Sequence, residues 1–178
     1  IDESKIKSKI TKKTKAIILV HFGGLPCNLY PIMILAKKYN LKIIEDASHS
    51  PGHSYKNKKI ENFGIASIFS FNQPKNLMTG EGGMVCTNNQ SVARKSRLIR
   101  NHGEASVESS GLDDITNIVG SNYRLGEIEA AIGRIQLQKL QDCLYLREKI
   151  VGILFDGLDG LSGLGLPKVR DNCTHVFY

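Results

Sequence analysis

One stretch of the chain constrains the fold more than any other, because its sequence alternates between strand-like and helix-like patterns. Residues 16–21 form a continuous apolar run, Ala-Ile-Ile-Leu-Val-His, of the kind found in strands that are buried on both faces. A loop containing glycine and proline follows, residues 29–40 predict a helix, and residues 41–45 predict a second strand. A strand, a helix and a strand within ~30 residues make a βαβ unit. We therefore predict an α/β fold with a mostly parallel sheet flanked by helices.

The rest of the chain predicts further strands and helices of the same kind. These elements are predicted over residues 65–71, 84–87, 90–100 and 124–158. Asn88 is placed to cap the third of them, and residues 103–120, rich in Gly, Ser and Asp, predict a long loop. The last helix is expected to bury an apolar stripe that comprises Ile128, Ala131, Ile132, Ile135 and Leu140.

The positive charge of the chain is concentrated near its first residues. The chain has 178 residues and a formal net charge of +7. Much of the excess comes from Lys5, Lys7, Lys9, Lys12, Lys13 and Lys15. Such a cluster indicates either a nucleic-acid patch or the polar face of a short helix whose Ile6 and Ile10 face inward. Because no aromatic residues interleave the lysines, we favour the helix face and predict no nucleic-acid partner.

Membrane and metal-binding classes find little support in the sequence. No apolar run approaches the roughly 20 residues that span a bilayer, so no membrane partner is predicted. The four cysteines are widely spaced and include no CxxC pair, which argues against a metal site and fits a reducing, cytoplasmic setting. The first residues lack an initiator Met, and His175–Tyr178 resembles the middle of a strand. We therefore expect a piece of a longer protein.

Three polar side chains are predicted at the carboxyl ends of strands, where open parallel sheets bind ligands. Asp46 is the last residue of the second predicted strand, and its neighbour Glu45 points to the opposite face of the sheet. Taken alone, Asp46 is equally well explained as a cap of the next turn. Lys75 follows a later strand, where a desolvated amine can act as a Schiff-base nucleophile, although a lone loop lysine is ordinarily solvated. Ser70, near the end of the predicted strand that precedes Lys75, can donate its hydroxyl hydrogen to a phosphate.

Five ordered motifs resemble one known family. They are residues 43–49 (IIEDASH), 69–76 (FSFNQPKN), 79–85 (TGEGGMV), 100–103 (RNHG) and 120–125 (GSNYRL). Together they resemble the DegT/DnrJ/EryC1/StrS family of sugar aminotransferases, and the similarity extends over nearly the whole chain. The resemblance implies a fold type I enzyme that depends on pyridoxal 5′-phosphate (PLP).

The resemblance also implies a role for each matching side chain. Lys75 is expected to form the Schiff base with PLP and later to move protons. Asp46 is expected to pair with the pyridine nitrogen, and His49 to lie beside the ring hydroxyl of PLP. Ser70 is expected to contact the PLP phosphate. Asn122 is expected to reach the phosphate in a partner subunit, with plain helix capping as the open alternative.

The activity implied by the resemblance is transfer of an amino group from an amino acid, expected to be glutamate, to a nucleotide-linked keto-sugar. The enzyme would act as a homodimer and serve surface polysaccharide or related amino-sugar biosynthesis. Two alternatives stay open. One is another PLP-dependent sugar reaction, such as a dehydration whose enzymes carry His in place of the lysine; the other is a catalytically silent regulatory or binding homologue.

The resemblance further divides the chain. Residues 1–142 would belong to the large PLP-binding domain, and residues 143–178 to a linking helix and the start of a truncated small domain. The family's N-terminal phosphate loop and its ring-stacking residue would lie outside the chain. His21 and His102 are interpreted as structural histidines rather than substrate contacts, and the role of Arg124 stays open between a functional contact and plain helix capping.

Overall fold

The computed structural model describes residues 1–60, 63–104 and 118–178. The helices in these ranges are α1 (Glu3–Ile6), α2 (Leu29–Lys38), α3 (Gln90–Arg100) and α4 (Glu127–Leu158), with 3₁₀ turns at Lys7–Lys9 and Phe22–Gly24. The strands are β1 (Ala16–Val20), β2 (Lys42–Asp46), β3 (Ser54–Tyr55), β4 (Lys58–Lys59), β5 (Ala66–Ser70) and β6 (Gly83–Cys86). The predicted α/β class is confirmed.

Four of the described strands form one sheet in the order β1-β2-β5-β6. The first three run parallel, and β6 pairs with β5 in the antiparallel direction. Helix α2 joins β1 to β2, so the predicted βαβ unit is confirmed. Leu19 pairs with Glu45 and Val20 pairs with Asp46, which places each pair on one of the two faces of the sheet, since side chains alternate along a strand.

Helix α2 and the first two strands share the main core. Leu19, Leu29, Ile32 and Ile43 are all buried there. Each fully buried side chain of this size stabilises the fold by about 1.5–3 kcal/mol. The first strand is buried on one face only within this chain, because α2 covers one face of the described sheet. On the other face Ile18 is 62% exposed.

The first turn of α4 lies later than predicted. The helix begins at Glu127 rather than at residue 124, because Gly126 before it is extended. The preceding residues are held by the end of α3 instead, since the Tyr123 N–H donates to the Arg100 carbonyl at 2.9 Å. The helix is continuous across the predicted domain boundary at residues 142 and 143, and that division stays a prediction.

The apolar stripe of α4 is mostly exposed, which corrects the expectation that it faces the core. Leu140 is its one buried member and packs near Phe71 and Leu77. Ile128, at the start of the helix, is 75% exposed. Ile132 and Ile135, between these two positions, are 41% and 49% exposed, so most of the stripe stays accessible.

Two smaller predictions differ in detail from the structure. Helix α3 is capped by Asn89 rather than Asn88: Asn89 Oδ1 accepts a hydrogen bond from the Val92 N–H at 3.0 Å. Thr87 Oγ1 in turn accepts from the Asn89 N–H, which fixes this register. Most of the predicted loop at 103–120 lies outside the described residues, which omit 105–117.

The lysine-rich first segment forms shorter helices than the pattern suggests. Ile6 is buried and Ile10 packs against the core, as the helix-face interpretation predicts. All six lysines are exposed. In the described parts of the chain, no helix has the length and apolar character that crossing a membrane requires.

Candidate active site

The predicted site residues come together at the carboxyl edge of the three parallel strands. Asp46 is the last residue of β2, and Ser70 is the last residue of β5. In the register Asp46 pairs with Ile68, so Ser70, two residues further, lies on the same face of the sheet as Asp46. His49 and Lys75 lie in the loops that leave these two strands. The site is therefore built by two neighbouring strand ends and their loops.

Asp46 is held by its own turn. Its Oδ1 accepts a hydrogen bond from the Ser48 N–H at 3.0 Å, which fixes the side chain in one orientation. Among the described residues, Oδ1 is the engaged oxygen, and Oδ2 keeps its full accepting capacity. Asp46 therefore caps this turn through Oδ1, and its Oδ2 stays available for a cationic or N–H ligand.

His49 is oriented by the loop that follows β1. Its Nδ1 accepts a hydrogen bond from the Gly23 N–H at 3.2 Å, so the proton of the neutral ring is on Nε2. Burial lowers the pKa of His49, the charge of Lys75 lowers it further, and Asp46 offsets part of this shift. At neutral pH the ring is therefore an uncharged donor through Nε2.

Lys75 approaches these residues from the β5 side. Its N–H donates to the Asn72 carbonyl at 2.9 Å, which closes a turn after the strand. Its Nζ lies 4.6 Å from the centroid of the Tyr178 ring, and that ring stacks on His49 with centroids 4.0 Å apart. The amine therefore reaches the same edge of the sheet as His49 and Asp46.

Ser70 retains the capacity to donate. Its Oγ accepts from the Asn72 N–H at 3.4 Å, so the hydroxyl hydrogen can still be given to an anion. A hydroxyl in this place is compatible with the predicted phosphate contact, which stays a prediction.

Asn122 and Arg124 form a separate polar cluster with Asn101. Asn122 Oδ1 accepts from the Arg124 N–H at 3.3 Å, and Arg124 Nη1 donates to Asn101 Oδ1 at 2.7 Å. Asn122 caps this turn rather than α4, which starts after Gly126. Its described contacts are with these neighbours and not with Lys75 or Asp46.

A buried pair behind the site could have been found only in part from the sequence. His21 and Glu45 are both fully buried, with Nε2 3.3 Å from Oε2. Burial alone lowers the pKa of His21, but contacts with Cys27 and Glu45 outweigh it and raise the pKa. The sequence predicts that Glu45 and Asp46 point to opposite faces of the sheet. Leu19 lies on the same face as Glu45, and His21, two residues after Leu19, continues that face. The structural interpretation of His21 agrees with these contacts.

Two further residues, Tyr178 and His53, were missed by the sequence analysis. Tyr178 contacts both Lys75 and His49, and His53 Nε2 accepts from the Val176 N–H at 2.7 Å. Both contacts join the last residues of the chain to loops far earlier in the sequence, and no local pattern signals them.

The side chains at this edge fit the cofactor that the resemblance implies. PLP offers an aldehyde, a ring nitrogen, a ring hydroxyl and a phosphate. The chain presents a primary amine at Lys75, a free carboxylate oxygen at Asp46, an N–H donor at His49 and a hydroxyl at Ser70. No group of three or more potential metal ligands occurs in the part of the chain that the structure describes.

Comparison with known proteins identifies the family of the chain. The model of the DegT/DnrJ/EryC1/StrS aminotransferase family matches residues 1–178. The UDP-4-amino-4,6-dideoxy-N-acetyl-beta-L-altrosamine transaminase of Campylobacter jejuni is 41% identical over 183 residues, which covers 99% of this chain and 48% of that protein. The chain thus spans about half the length of the curated relatives it matches.

Solved structures agree with this match. DesV of S. venezuelae, in complex with a ketimine intermediate, is 32% identical with a TM-score of 0.89 over 99% of this chain and 46% of that one. The GDP-4-keto-6-deoxy-D-mannose-3-dehydratase of E. coli, with bound hydrated PLP, is 27% identical with a TM-score of 0.85 over 99% of this chain and 48% of that one. The chain belongs to the DegT/DnrJ/EryC1/StrS aminotransferase family.

Proposed function

We propose that the whole protein is a PLP-dependent aminotransferase that moves an amino group from an amino acid, glutamate, to a nucleotide-linked keto-sugar. The observation that carries the proposal is the meeting of the Lys75 amine, the neutral His49 ring and the Asp46 carboxylate at one sheet edge. The similarity to a sugar transaminase supports the same activity, and the similarity to a structure with bound hydrated PLP supports the cofactor. When bound, PLP supplies an electron-accepting ring for this chemistry.

Each residue at the edge then has a defined task. Asp46 would keep the ring nitrogen of the cofactor protonated through its free oxygen, since a carboxylate favours a neighbouring cation. His49 would orient the cofactor by donating Nε2–H to its ring hydroxyl. Ser70 would donate to the phosphate.

Lys75 would both hold the cofactor and move the proton of the reaction. After release from the cofactor, its Nζ is a free amine within reach of the same edge. Nζ would take the proton from the α-carbon of the amino-acid donor and become an ammonium. The ammonium would give up that proton within the same half-reaction, to the carbon of the cofactor that takes on the amino group. In the second half-reaction the amine would move a proton in the opposite direction, to the sugar carbon that receives the amino group.

A homodimer completes the proposal. Asn122 lies in a turn with Arg124 and Asn101, outside the Lys75 group of contacts. If its amide binds a PLP phosphate, as the family resemblance implies, the phosphate would be that of a second subunit. The exposed apolar stripe of α4 offers surface for such association or for the rest of the protein.

A dehydratase is the second candidate, because one similar structure is a sugar dehydratase. The resemblance assigns such enzymes a histidine at the lysine position, and this chain has Lys75 there. The product separates the two: transamination replaces the keto oxygen by an amino group, and dehydration removes a hydroxyl without adding nitrogen.

The test is to trap the cofactor on the full-length protein. Borohydride reduction after incubation with PLP should leave the cofactor attached to the peptide that contains Lys75, as read by mass spectrometry. Lys75→Ala should abolish the attachment and the transamination of a panel of keto-sugar nucleotides. Lys168→Ala, at an exposed position, is the control and should retain both. Attachment to another lysine, or full activity of Lys75→Ala, would overturn the proposal.

A further inference from the structure

The last residues of the chain are fixed against the loop that follows β1. The Val176 N–H donates to the Gly24 carbonyl and the Tyr178 N–H donates to the Gly23 carbonyl, each at 3.1 Å. A Cβ atom added at Gly24 would lie 3.1 Å from the backbone nitrogens of Phe177 and Tyr178. This segment therefore follows the loop closely, and its backbone determines where the Tyr178 ring lies.

The Tyr178 ring contacts two of the candidate active-site residues at once. It stacks on His49 with an interplanar angle of 13° and a centroid distance of 4.0 Å. Lys75 Nζ lies 4.6 Å from the centroid of the same ring. An ammonium within about 6 Å of an aromatic centroid is attracted by the ring quadrupole, whereas a neutral amine gains much less.

We propose that Tyr178 is a positioning residue that holds Lys75 in its protonated form beside His49. The inference rests on the proposed function, in which Lys75 becomes an ammonium each time it moves a proton within a half-reaction. The aromatic ring face would stabilise this ammonium, while the backbone bond to Gly23 and the stack on His49 hold the ring in place. The phenol oxygen is not needed for either contact.

The experiment measures the protonation of Lys75 in the full-length protein without cofactor. Trinitrobenzenesulfonate reacts with neutral amines, so the rate at which the Lys75 peptide is labelled reports the neutral fraction. At about pH 8, Tyr178→Leu should label about two- to five-fold faster than the wild type, because it lacks the ring that attracts the ammonium. Tyr178→Phe keeps the ring and should label at the wild-type rate. Tyr178→Met is a second aliphatic variant in case the Leu variant folds poorly.

The pH dependence of the labelling rate separates an effect on the charge of Lys75 from an effect on its accessibility. A ring that merely covers Lys75 would change the labelling rate by one factor at every pH, whereas the proposed effect disappears in strong base, where an amine is neutral in both proteins. Equal rates for the wild type and Tyr178→Leu, a factor that is constant with pH, or equal rates for the Phe and Leu variants would each overturn the inference.

Failure of the proposed function gives a different result. If borohydride reduction attaches PLP to another lysine, the assignment of Lys75 fails whatever the labelling rates are. If PLP maps to Lys75 and the rates do not depend on Tyr178, only the present inference fails.

Discussion

Glu45 and His21, both fully buried, face each other with Glu45 Oε2 3.3 Å from His21 Nε2. The other carboxylate oxygen, Oε1, accepts hydrogen bonds from the Phe63 and Gly64 N–H groups and from the Ser67 hydroxyl. A carboxylate can serve all these donors because it is acceptor-only. Glu45 thus ties together β2, β5 and the loop before β5, directly behind the strand end that carries Asp46.

Replacing Glu45 by Gln should destabilise the full-length protein by about 3 kcal/mol. The amide has one accepting oxygen, and its NH₂ group would face either His21 Nε2–H or the backbone donors of Phe63 and Gly64. Urea unfolding measures the loss, with the exposed Glu148→Gln as a control that should change stability by less than about 0.5 kcal/mol. A wild-type midpoint for the Glu45 variant would contradict the role of the carboxylate.

Asp46→Asn should slow proton abstraction from the amino-acid donor by about 10²-fold, because it removes the charge that would hold the ring nitrogen of PLP protonated. The Asn Oδ1 can still accept from the Ser48 N–H, so the turn is preserved and the charge alone is tested. Single-turnover spectroscopy with glutamate measures the rate. PLP should still attach to Lys75. An unchanged rate would show that another acid fills this task.

Local patterns were sufficient for the elements that frame the site. The apolar run before His21, the helix of α2 and the strand ending at Asp46 each follow from residues within one element. Because the parallel strands end at one edge, the sequence alone predicts that Asp46 and Ser70 lie at the same edge of the sheet. Lys75 needed the family resemblance in addition, since a single loop lysine is ordinarily a surface residue.

The contacts that could not be predicted join parts of the chain that are distant in sequence. Tyr178 reaches Lys75 only because the final segment folds back onto Gly23 and Gly24. The burial of β1 likewise depends on distant parts of the protein. Its apolar residues indicate burial on both faces, but what covers each face depends on elements elsewhere, and the described residues supply α2 on one face only.

Below neutral pH, His53 should make the protein less stable. Its Nε2 accepts from the Val176 N–H, and burial, then the charges of His175, His21 and Lys59, lower its pKa to about 3. The unfolded chain binds a proton at this histidine below its ordinary pKa of about 6.5, and the folded chain does not until about pH 3. The stability that His53 contributes is thus complete above pH 6.5 and is lost as the pH falls toward 3.

His53→Gln isolates this effect because the Gln oxygen can accept from Val176 but does not titrate. Between pH 7 and pH 5 the wild type should lose about 2 kcal/mol more unfolding free energy than the variant, as measured in urea. The exposed His102→Gln should keep the wild-type pH dependence. Parallel pH profiles for the wild type and His53→Gln would refute the assignment.

The 178-residue chain alone should bind PLP weakly, lack aminotransferase activity and associate. The sheet face that carries Asp46 also exposes Ile18 and Ile68, at 62% and 41%, and exposed apolar sheet surface promotes aggregation. PLP titration and size-exclusion chromatography, compared with the full-length protein, test this. A monomer that binds PLP tightly and turns over would contradict the expectation.

Gly23 and Gly24 offer a matched pair for testing the contact that places Tyr178. Both have positive φ, 64° and 97°, so alanine at either position costs about 1–2 kcal/mol in backbone strain. A Cβ atom at Gly23 would meet nothing within 4 Å, whereas one at Gly24 would lie 3.1 Å from Val176 Cγ2 and from the Phe177 and Tyr178 nitrogens.

Gly24→Ala should therefore cost more than Gly23→Ala in urea unfolding, by at least about 1 kcal/mol, because the final segment must move away. Once it moves, the Tyr178 ring leaves Lys75, so the Lys75 labelling rate of Gly24→Ala should approach that of Tyr178→Leu. Gly23→Ala keeps its N–H bond to His49 and its carbonyl bond to Tyr178, and should label as the wild type does. Equal stability and equal labelling for the two alanine variants would show that the segment does not depend on the missing Cβ at Gly24.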